Sequence, residues 1–158
     1  MTLSDARGAT RQAESTVDWK APSKEAHPAR DAALRSYDAV CRKAKDEWLD
    51  LFVDDGWIED PVGPSVFDPD GAGHHGRDGR SAFWNKTIAN VDRFVFEITD
   101  SFAAGNECAN VGTIHTTMNG YAMRAEGVFI YRVDDNGKLI SLRAIWEWDR
   151  AIATAHKL

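Results

Sequence analysis

The chain has 158 residues, of which 43% are hydrophobic, and a formal net charge of −6. This length predicts one domain with one core, and the acidic balance disfavours a nucleic-acid partner, which requires a clustered basic surface. No apolar run approaches the roughly 20 residues that span a bilayer, and the N-terminus lacks the apolar segment of a secretory signal. We therefore expect a cytoplasmic protein with no membrane partner and with Cys41 and Cys108 reduced.

Residues 1–28 differ in composition from the rest of the chain. They are mostly Ser, Thr, Ala, Arg, Glu and Pro, and Trp19 is their only sizeable anchor. Such a composition is typical of a flexible tail or of an extension laid over a neighbouring surface. The prediction is a flexible N-terminal extension over 1–28, followed by a single domain over 29–158.

Three helices and one short strand are expected in the first part of this domain. Apolar residues recur at helical spacing from about 28–44, and a second helix is predicted over about 46–53. A short strand at 57–60 follows, and then a long loop rich in Gly and Pro. The third predicted helix covers 78–90.

After this helix the hydrophobic pattern changes to the period of two that is typical of strands. Runs rich in Val, Phe and Thr occur at about 93–102, 108–118, 121–133 and 139–150. Asn119-Gly120 is a strong signal for a two-residue hairpin. Helices followed by antiparallel strands predict an α+β fold, in which a curved antiparallel sheet has about three N-terminal helices packed on its concave face.

The hairpin also predicts which side chains share a face of the sheet. If Met118 pairs with Tyr121, strand alternation separates an apolar face on the helix side from a more polar face opposite. The apolar set is Ile114, Thr116, Met118, Met123, Ala125 and Phe129. The opposite set contains Val128 and Ile130 among Thr113, His115, Thr117, Arg124 and Glu126. Because such a mixed surface suits a self-complementary interface, we expect a homodimer.

Asp60 stands immediately before Pro61. The residue before a proline is pushed toward extended backbone, so Asp60 is expected at the end of the short strand, beside Trp57, Ile58 and Val62. A carboxylate that is partly shielded from water there is a candidate general base. The alternative is a turn aspartate that hydrogen-bonds its own backbone, and the local sequence alone favours this alternative.

A family resemblance changes that balance. The run Phe52–Gly63, FVDDGWIEDPVG, resembles the LFADDATVEDPVG pattern of Δ5-3-ketosteroid isomerases. Segments 127–133 and 136–146 resemble the final hairpin of that family, and the insertion Pro64–Gly73 is similar to its mycobacterial-type members. The resemblance covers about residues 33–150. It implies the cone-like fold that these isomerases share with nuclear transport factor 2.

The resemblance also implies a reaction and its site residues. A carboxylate would move a proton between two carbons of a 3-oxo-Δ5-steroid or a similar cyclic enone, while donors stabilise the charge on the carbonyl oxygen. Asp60 matches the family's base, and Tyr37 matches its tyrosine donor. The family's acidic second donor falls on Phe129, which donates nothing, and its supporting tyrosine falls on Trp84. We therefore expect a weak isomerase, with Trp84 as a candidate replacement donor.

A large apolar pocket is expected around these groups. The predicted wall residues, which would bind the substrate, are Trp57, Trp84, Met118, Met123, Phe129 and Trp146. Flat rings and pliable methionines suit a rigid polycyclic ligand. Ordinary core packing also places aromatic residues on one face of a sheet, but six tryptophans in 158 residues favour a ligand.

No metal or cofactor is expected. His74 and His75 are adjacent, so their side chains diverge, and no third ligand lies at a useful spacing. The loop 64–76 is instead interpreted as a rim or lid over the mouth of the pocket.

Two further functions remain open at this stage. Phe129 favours a steroid- or polyketide-binding protein without turnover. The same fold also carries polyketide cyclases and epoxide hydrolases. Epoxide hydrolysis requires an Asp/Arg/Asp cluster that activates water, and only Asp60 is well placed for one here.

Overall fold

Four α-helices occur in the computed structural model, which describes residues 14–158. They are α1 (Pro28–Cys41), α2 (Lys45–Asp50), α3 (Gly76–Lys86) and α4 (Trp148–Ile152), and a 3₁₀ turn (Ile88–Asn90) follows α3. Pro28 pre-sets the backbone at the start of α1, where the His27 ring accepts a hydrogen bond from the Ala29 N–H at 3.1 Å. This cap fixes the start of the helix that carries Tyr37.

One curled sheet of eight strands forms the second layer. Its strands are β1 (Thr16–Trp19), β2 (Phe52–Glu59), β3 (His74–His75), β4 (Arg93–Ala104), β5 (Glu107–Met118), β6 (Tyr121–Val133), β7 (Leu139–Ile145) and β8 (His156–Lys157). The order is β1-β4-β5-β6-β7-β2-β3, with β8 beside β6. Among residues 14–158, only β1–β4 and β2–β7 pair in parallel. Helix α1 contacts β4, β5 and β6. The predicted α+β fold with a curved, mainly antiparallel sheet is confirmed.

The predicted register of the β5–β6 hairpin is confirmed. Met118 lies opposite Tyr121, and the pairing continues without a break to Glu107 and Arg132. Because nothing shifts the register, the two faces of these strands contain the side chains that strand alternation assigned to them.

The prediction of a flexible extension is wrong for its described part, residues 14–28. Strand β1 extends the sheet beyond β4, with Trp19 opposite Ile98. Val17 and Trp19, two residues apart on the same face, pack against the core. Composition concealed this strand because only these two of its four residues are apolar. Residues 1–13 of the predicted extension lie outside the described residues.

Several element boundaries also differ from the prediction. Helix α2 ends at Asp50 rather than Val53, because Phe52 already pairs with Leu139 of β7. Helix α3 ends at Lys86 and gives way to the 3₁₀ turn. The last predicted strand ends at Ile145, where α4 follows after two residues. None of the helices in residues 14–158 has the length and apolar character needed to cross a membrane.

Candidate active site

A cavity of about 280 Å³ lies between the helices and the concave face of the sheet. This volume is close to the lower end of the range for small-molecule sites, about 300–1,000 Å³. Its surface is mainly apolar. The apolar side chains that β4, β5, β6 and β7 contribute are Phe94, Phe96, Ile114, Met118, Met123, Ala125, Phe129 and Leu142.

Asp60 lines this cavity directly after the end of β2. Its peptide bond to Pro61 is cis, and the next residue, Val62, donates its N–H to Ala144 O at 2.9 Å. Trp146 Nε1 donates to Asp60 Oδ1 at 2.7 Å. Burial raises the pKa of Asp60 to about 6, and the hydrogen bond from Trp146 acts in the opposite direction. Both protonation states of this carboxyl group are therefore populated near pH 6.

Tyr37 projects from α1 into the same cavity. Its ring stacks on Phe96 at a centroid distance of 4.7 Å. Burial raises the pKa of Tyr37 to about 12, although hydrogen bonds with Tyr131 and Asn110 lower it. The hydroxyl group is therefore protonated at neutral pH and can donate a hydrogen bond to a ligand oxygen.

Tyr131 of β6 is a cavity residue that the sequence analysis missed. It lies two residues after Phe129 on the same face, and its ring meets that of Tyr37 edge-on at 5.7 Å. Burial first, and then the proximity of Tyr37 and Asp60, raise the pKa of Tyr131 well above its usual value. A second neutral phenol therefore faces the cavity beside both predicted catalytic groups. Strand alternation from Phe129 was the signal that would have found it.

Asn110 of β5 was also missed. It is fully buried, and its Nδ2 donates to the Tyr37 hydroxyl oxygen at 3.0 Å. The register places Asn110 directly opposite Phe129. The resemblance implies an acidic donor at position 129, where this chain has Phe. The polar group next to Tyr37 is instead Asn110, which belongs to the adjacent strand.

Six of the eight predicted site residues meet in the cavity: Tyr37, Asp60, Met118, Met123, Phe129 and Trp146. The prediction of Trp57 as a wall residue is wrong, because Ile58 points inward and alternation turns Trp57 outward. Trp57 stacks on His75 at 6.0 Å and donates to Glu59 Oε1 at 3.1 Å.

The prediction of Trp84 as a wall residue and replacement donor is also wrong. Its ring packs against Trp48 of α2 at a centroid distance of 5.2 Å, away from the cavity. Its neighbour Phe83 lines the cavity instead. The helical pattern placed both side chains on the buried side of α3 but did not separate the cavity from the interface with α2.

The loop 64–76 contributes Phe67 to the cavity. Phe67 meets Trp148 of α4 edge-on at 5.5 Å, so the loop and α4 form one wall together. The two histidines of this loop belong to β3, and the His74 ring packs on Phe83 at 4.9 Å. Within residues 14–158, no group of three His, Cys, Asp or Glu side chains is arranged to hold a metal ion.

The sequence that forms this fold and cavity matches a known protein family. The profile of the SnoaL-like domain matches residues 33–142, and the chain belongs to this family, which has the nuclear transport factor 2-like fold. A search of curated proteins finds no match to the chain.

Three solved structures are also similar to this chain. Rv0760c of Mycobacterium tuberculosis is 30% identical over 85% of this chain and 98% of its own, with a TM-score of 0.76. The Δ5-3-ketosteroid isomerase from Mycobacterium sp. is 31% identical over 84% of this chain and all (100%) of its own, with a TM-score of 0.73. A computationally designed 17-OHP binder is 30% identical over 84% and 97%, with a TM-score of 0.73.

Proposed function

We propose that this protein is a steroid Δ-isomerase-like enzyme that moves a C=C bond in a 3-oxo-Δ5-steroid or a similar cyclic enone. The observation that carries the proposal is the Asp60 carboxyl group, which has a pKa of about 6 and lines an apolar cavity beside Tyr37. A base with a pKa near the working pH both accepts and returns a proton efficiently.

The reaction needs only groups of this cavity. Ionised Asp60 takes a proton from the carbon between the carbonyl group and the double bond, and the electron pair moves onto the carbonyl oxygen. The Tyr37 hydroxyl donates a hydrogen bond to this oxyanion. Protonated Asp60 then returns the proton to the carbon at the far end of the former double bond. The proton balance is zero, so the proposal includes no cofactor and no metal.

Tyr131 is the residue we propose as a second oxyanion donor. Phe129 cannot donate, and losing one such donor typically costs about 10²–10³ in rate. Tyr131 lines the cavity next to Tyr37 and carries a proton at neutral pH. We expect turnover below that of a family member with an acidic donor, because the single proton of Tyr131 also serves the hydrogen bond with Tyr37 and is only shared with the ligand.

The named relatives support a steroid as the ligand. One is a Δ5-3-ketosteroid isomerase, one is a designed 17-OHP binder, and Rv0760c was crystallised in complex with estradiol-17β-hemisuccinate. The second candidate function is binding of a steroid or polyketide without turnover, and the apolar side chain of Phe129 is the observation that favours it. We also propose that the protein is a cytoplasmic homodimer.

The deciding experiment is a turnover assay with a Δ5-3-ketosteroid, followed by the absorbance of the conjugated enone. We expect measurable turnover in the wild type and a loss of about 10²–10⁴-fold in Asp60→Asn. Tyr37→Phe and Tyr131→Phe should each reduce kcat and leave binding of a steroid largely intact. Binding without any turnover in the wild type would replace the isomerase with the binding protein.

A further inference from the structure

A chain of buried side chains runs from the first turn of α1 to the Tyr37 hydroxyl. Arg30 Nε donates to Ser101 Oγ at 3.0 Å. Ser101 Oγ donates to Asn110 Oδ1 at 2.6 Å, and Asn110 Nδ2 donates to Tyr37 at 3.0 Å. We name Arg30, Ser101 and Asn110 the Arg30 relay. Its three members are 5%, 2% and 0% exposed.

The guanidinium group of Arg30 fixes the direction of the relay. Arginine has donors but no acceptor, so Ser101 Oγ accepts from Arg30 and its own proton points to Asn110. The thiol of Cys108 also donates to Asn110 Oδ1, at 3.2 Å. With two donors on its oxygen, the amide group of Asn110 turns its nitrogen toward Tyr37. Every hydrogen bond of the relay therefore donates in the direction of the cavity.

The positive charge of Arg30 has no carboxylate within ion-pair distance among residues 14–158. Two of its remaining N–H groups donate to the backbone oxygens of Glu25, at 2.8 Å, and Ser101, at 3.2 Å. A buried charge is weakly screened, and aligned hydrogen bonds polarise one another. The last bond of this aligned series ends on the oxygen of Tyr37.

We propose that the Arg30 relay polarises the Tyr37 hydroxyl group and directs its proton at the ligand, which makes Tyr37 a stronger donor to an oxyanion. This proposal rests on the proposed function, because the relay would assist the isomerase reaction. Its polarisation of the Tyr37 hydroxyl group does not require a substrate. Arg30, Ser101 and Asn110 are thus positioning residues. Without the charge, the proton of the Ser101 hydroxyl group is no longer directed at Asn110, and the hydrogen bond from Asn110 to Tyr37 is less polarised.

The test measures the acidity of Tyr37 without a ligand. A fluorinated tyrosine, which is more acidic than tyrosine, is placed at position 37, and its pKa is measured by fluorine NMR. A hydrogen bond onto the phenol oxygen stabilises the charged form, so Ser101→Ala and Asn110→Leu should each raise this pKa, by about one unit. Ser101→Thr keeps the hydroxyl group and should restore the wild-type value.

Thr99→Val is the matched control. It removes a side-chain hydrogen bond to Val111 O within the same pair of strands but outside the relay. Its Tyr37 pKa should equal that of the wild type. A Tyr37 pKa that is unchanged in Ser101→Ala overturns the proposal, and this variant remains informative if Asn110→Leu does not fold.

Kinetics separate the relay from the proposed function. In an active enzyme, Ser101→Ala should lower kcat by about tenfold and change KM by less than about twofold, because the relay acts on the developing charge rather than on the apolar walls. A wild type without turnover but with the expected pKa shifts refutes the isomerase and supports the relay. Turnover without any shift in the Tyr37 pKa supports the isomerase and refutes the relay.

Discussion

At Asp60, two opposing effects set the pH at which the carboxyl group ionises. Burial raises its pKa to about 6, and the hydrogen bond from Trp146 lowers it. Only the carboxylate can accept a proton from the substrate. We therefore expect kcat/KM for a Δ5-3-ketosteroid to rise with pH through about 6 and to level off above it, because Tyr37 stays protonated up to about 12. A pH–rate profile of the free enzyme measures this.

Trp146→Phe tests whether this pH dependence belongs to Asp60, and Trp148→Phe is its control. Trp146→Phe removes the indole N–H that stabilises the charged carboxylate, so the inflection in the profile should move to higher pH. Trp148→Phe alters a neighbouring aromatic side chain that has no hydrogen bond to Asp60, and its inflection should stay in place. An inflection that is the same in all three proteins would assign the titration to another group.

The same carboxyl group links stability to pH. The pKa of Asp60 is raised from 3.8 to about 6, so the folded state binds the proton more tightly than the unfolded state does. This contribution is present at low pH and is lost as pH rises through about 6, by on the order of 1–3 kcal/mol. We expect Asp60→Asn to gain free energy of unfolding relative to the wild type between about pH 4 and about pH 8. Urea titrations at the two pH values measure the difference, and a constant difference would contradict the shift.

Phe129 stands where the resemblance implies an acidic donor. Phe129→Asp places a carboxyl group beside Tyr131 and opposite Asn110. If it stays protonated, it should donate to the oxyanion and raise kcat by up to about 10²-fold. The buried polar group should also lower the free energy of unfolding, by on the order of 1–3 kcal/mol.

Phe129→Leu separates these effects, because it changes the shape of the wall without adding a donor and should give no gain in rate. A Phe129→Asp protein that folds and binds a steroid, yet gains no rate, would show that a carboxyl group at position 129 does not reach the oxyanion.

Strand β1 can be tested directly, because composition predicted a flexible segment where the structure has a strand. Trp19 is partly buried against the core and lies opposite Ile98. Trp19→Ala should therefore lower the free energy of unfolding, by about 1–3 kcal/mol, less than the loss for a fully buried tryptophan. The midpoint of a urea titration measures this.

Asp18→Ala on the same strand is the control, because Asp18 makes only an exposed ion pair with Lys20 at 3.4 Å. Such pairs contribute about 0–1 kcal/mol. Equal midpoints for both variants would favour the flexible extension that composition predicted.

Local signals were reliable where one strong local feature fixed the geometry. The Asn119-Gly120 turn determined the register of β5 and β6, and this register determined the cavity face. The strand β2 had no such turn: its start was predicted at 57 rather than 52, and Trp57 was assigned to the same side as Ile58, although strand alternation puts these neighbours on opposite faces. Strand β1 pairs with residues about 80 positions away along the chain, roughly the separation of Trp19 and Ile98, and no local pattern reports such a contact.

The residues of the candidate site also differ in how well the sequence could predict them. Asp60 and Tyr37 could be predicted because each lies in a short motif with a family counterpart. Asn110 and Tyr131 have no such motif, and their roles depend on register across three strands and on the packing of α1. A lone Asn in a strand is an ordinary residue until its neighbours across the sheet are known.

At the scale of the whole molecule, the outer face of the sheet carries an apolar row. Val111 lies opposite Val128, and Val128 lies opposite Ile145, which is 49% exposed. Such a row suits the two-fold interface of the proposed homodimer. We expect a dimer at micromolar concentration and a monomer after Val128→Arg, because the change places two unpaired charges in one interface.

Sedimentation velocity distinguishes these states. Asp135→Arg introduces the same residue in an exposed turn between β6 and β7 and should leave the dimer intact. A monomeric wild type, or a Val128→Arg protein that still dimerises, would place the interface elsewhere or remove it.

Strand β6 has a different neighbour on each side: Phe129 and Tyr131 face the cavity, while Val128 and Ile130 face outward. Insertion or deletion of one residue within this strand would therefore exchange the ligand wall with the outer surface in a single step. The chain should accept length changes in the loop 64–76 or in the turn between β6 and β7, and reject them inside β6. Its evolution can thus vary the mouth of the cavity freely while the length of this one strand stays fixed.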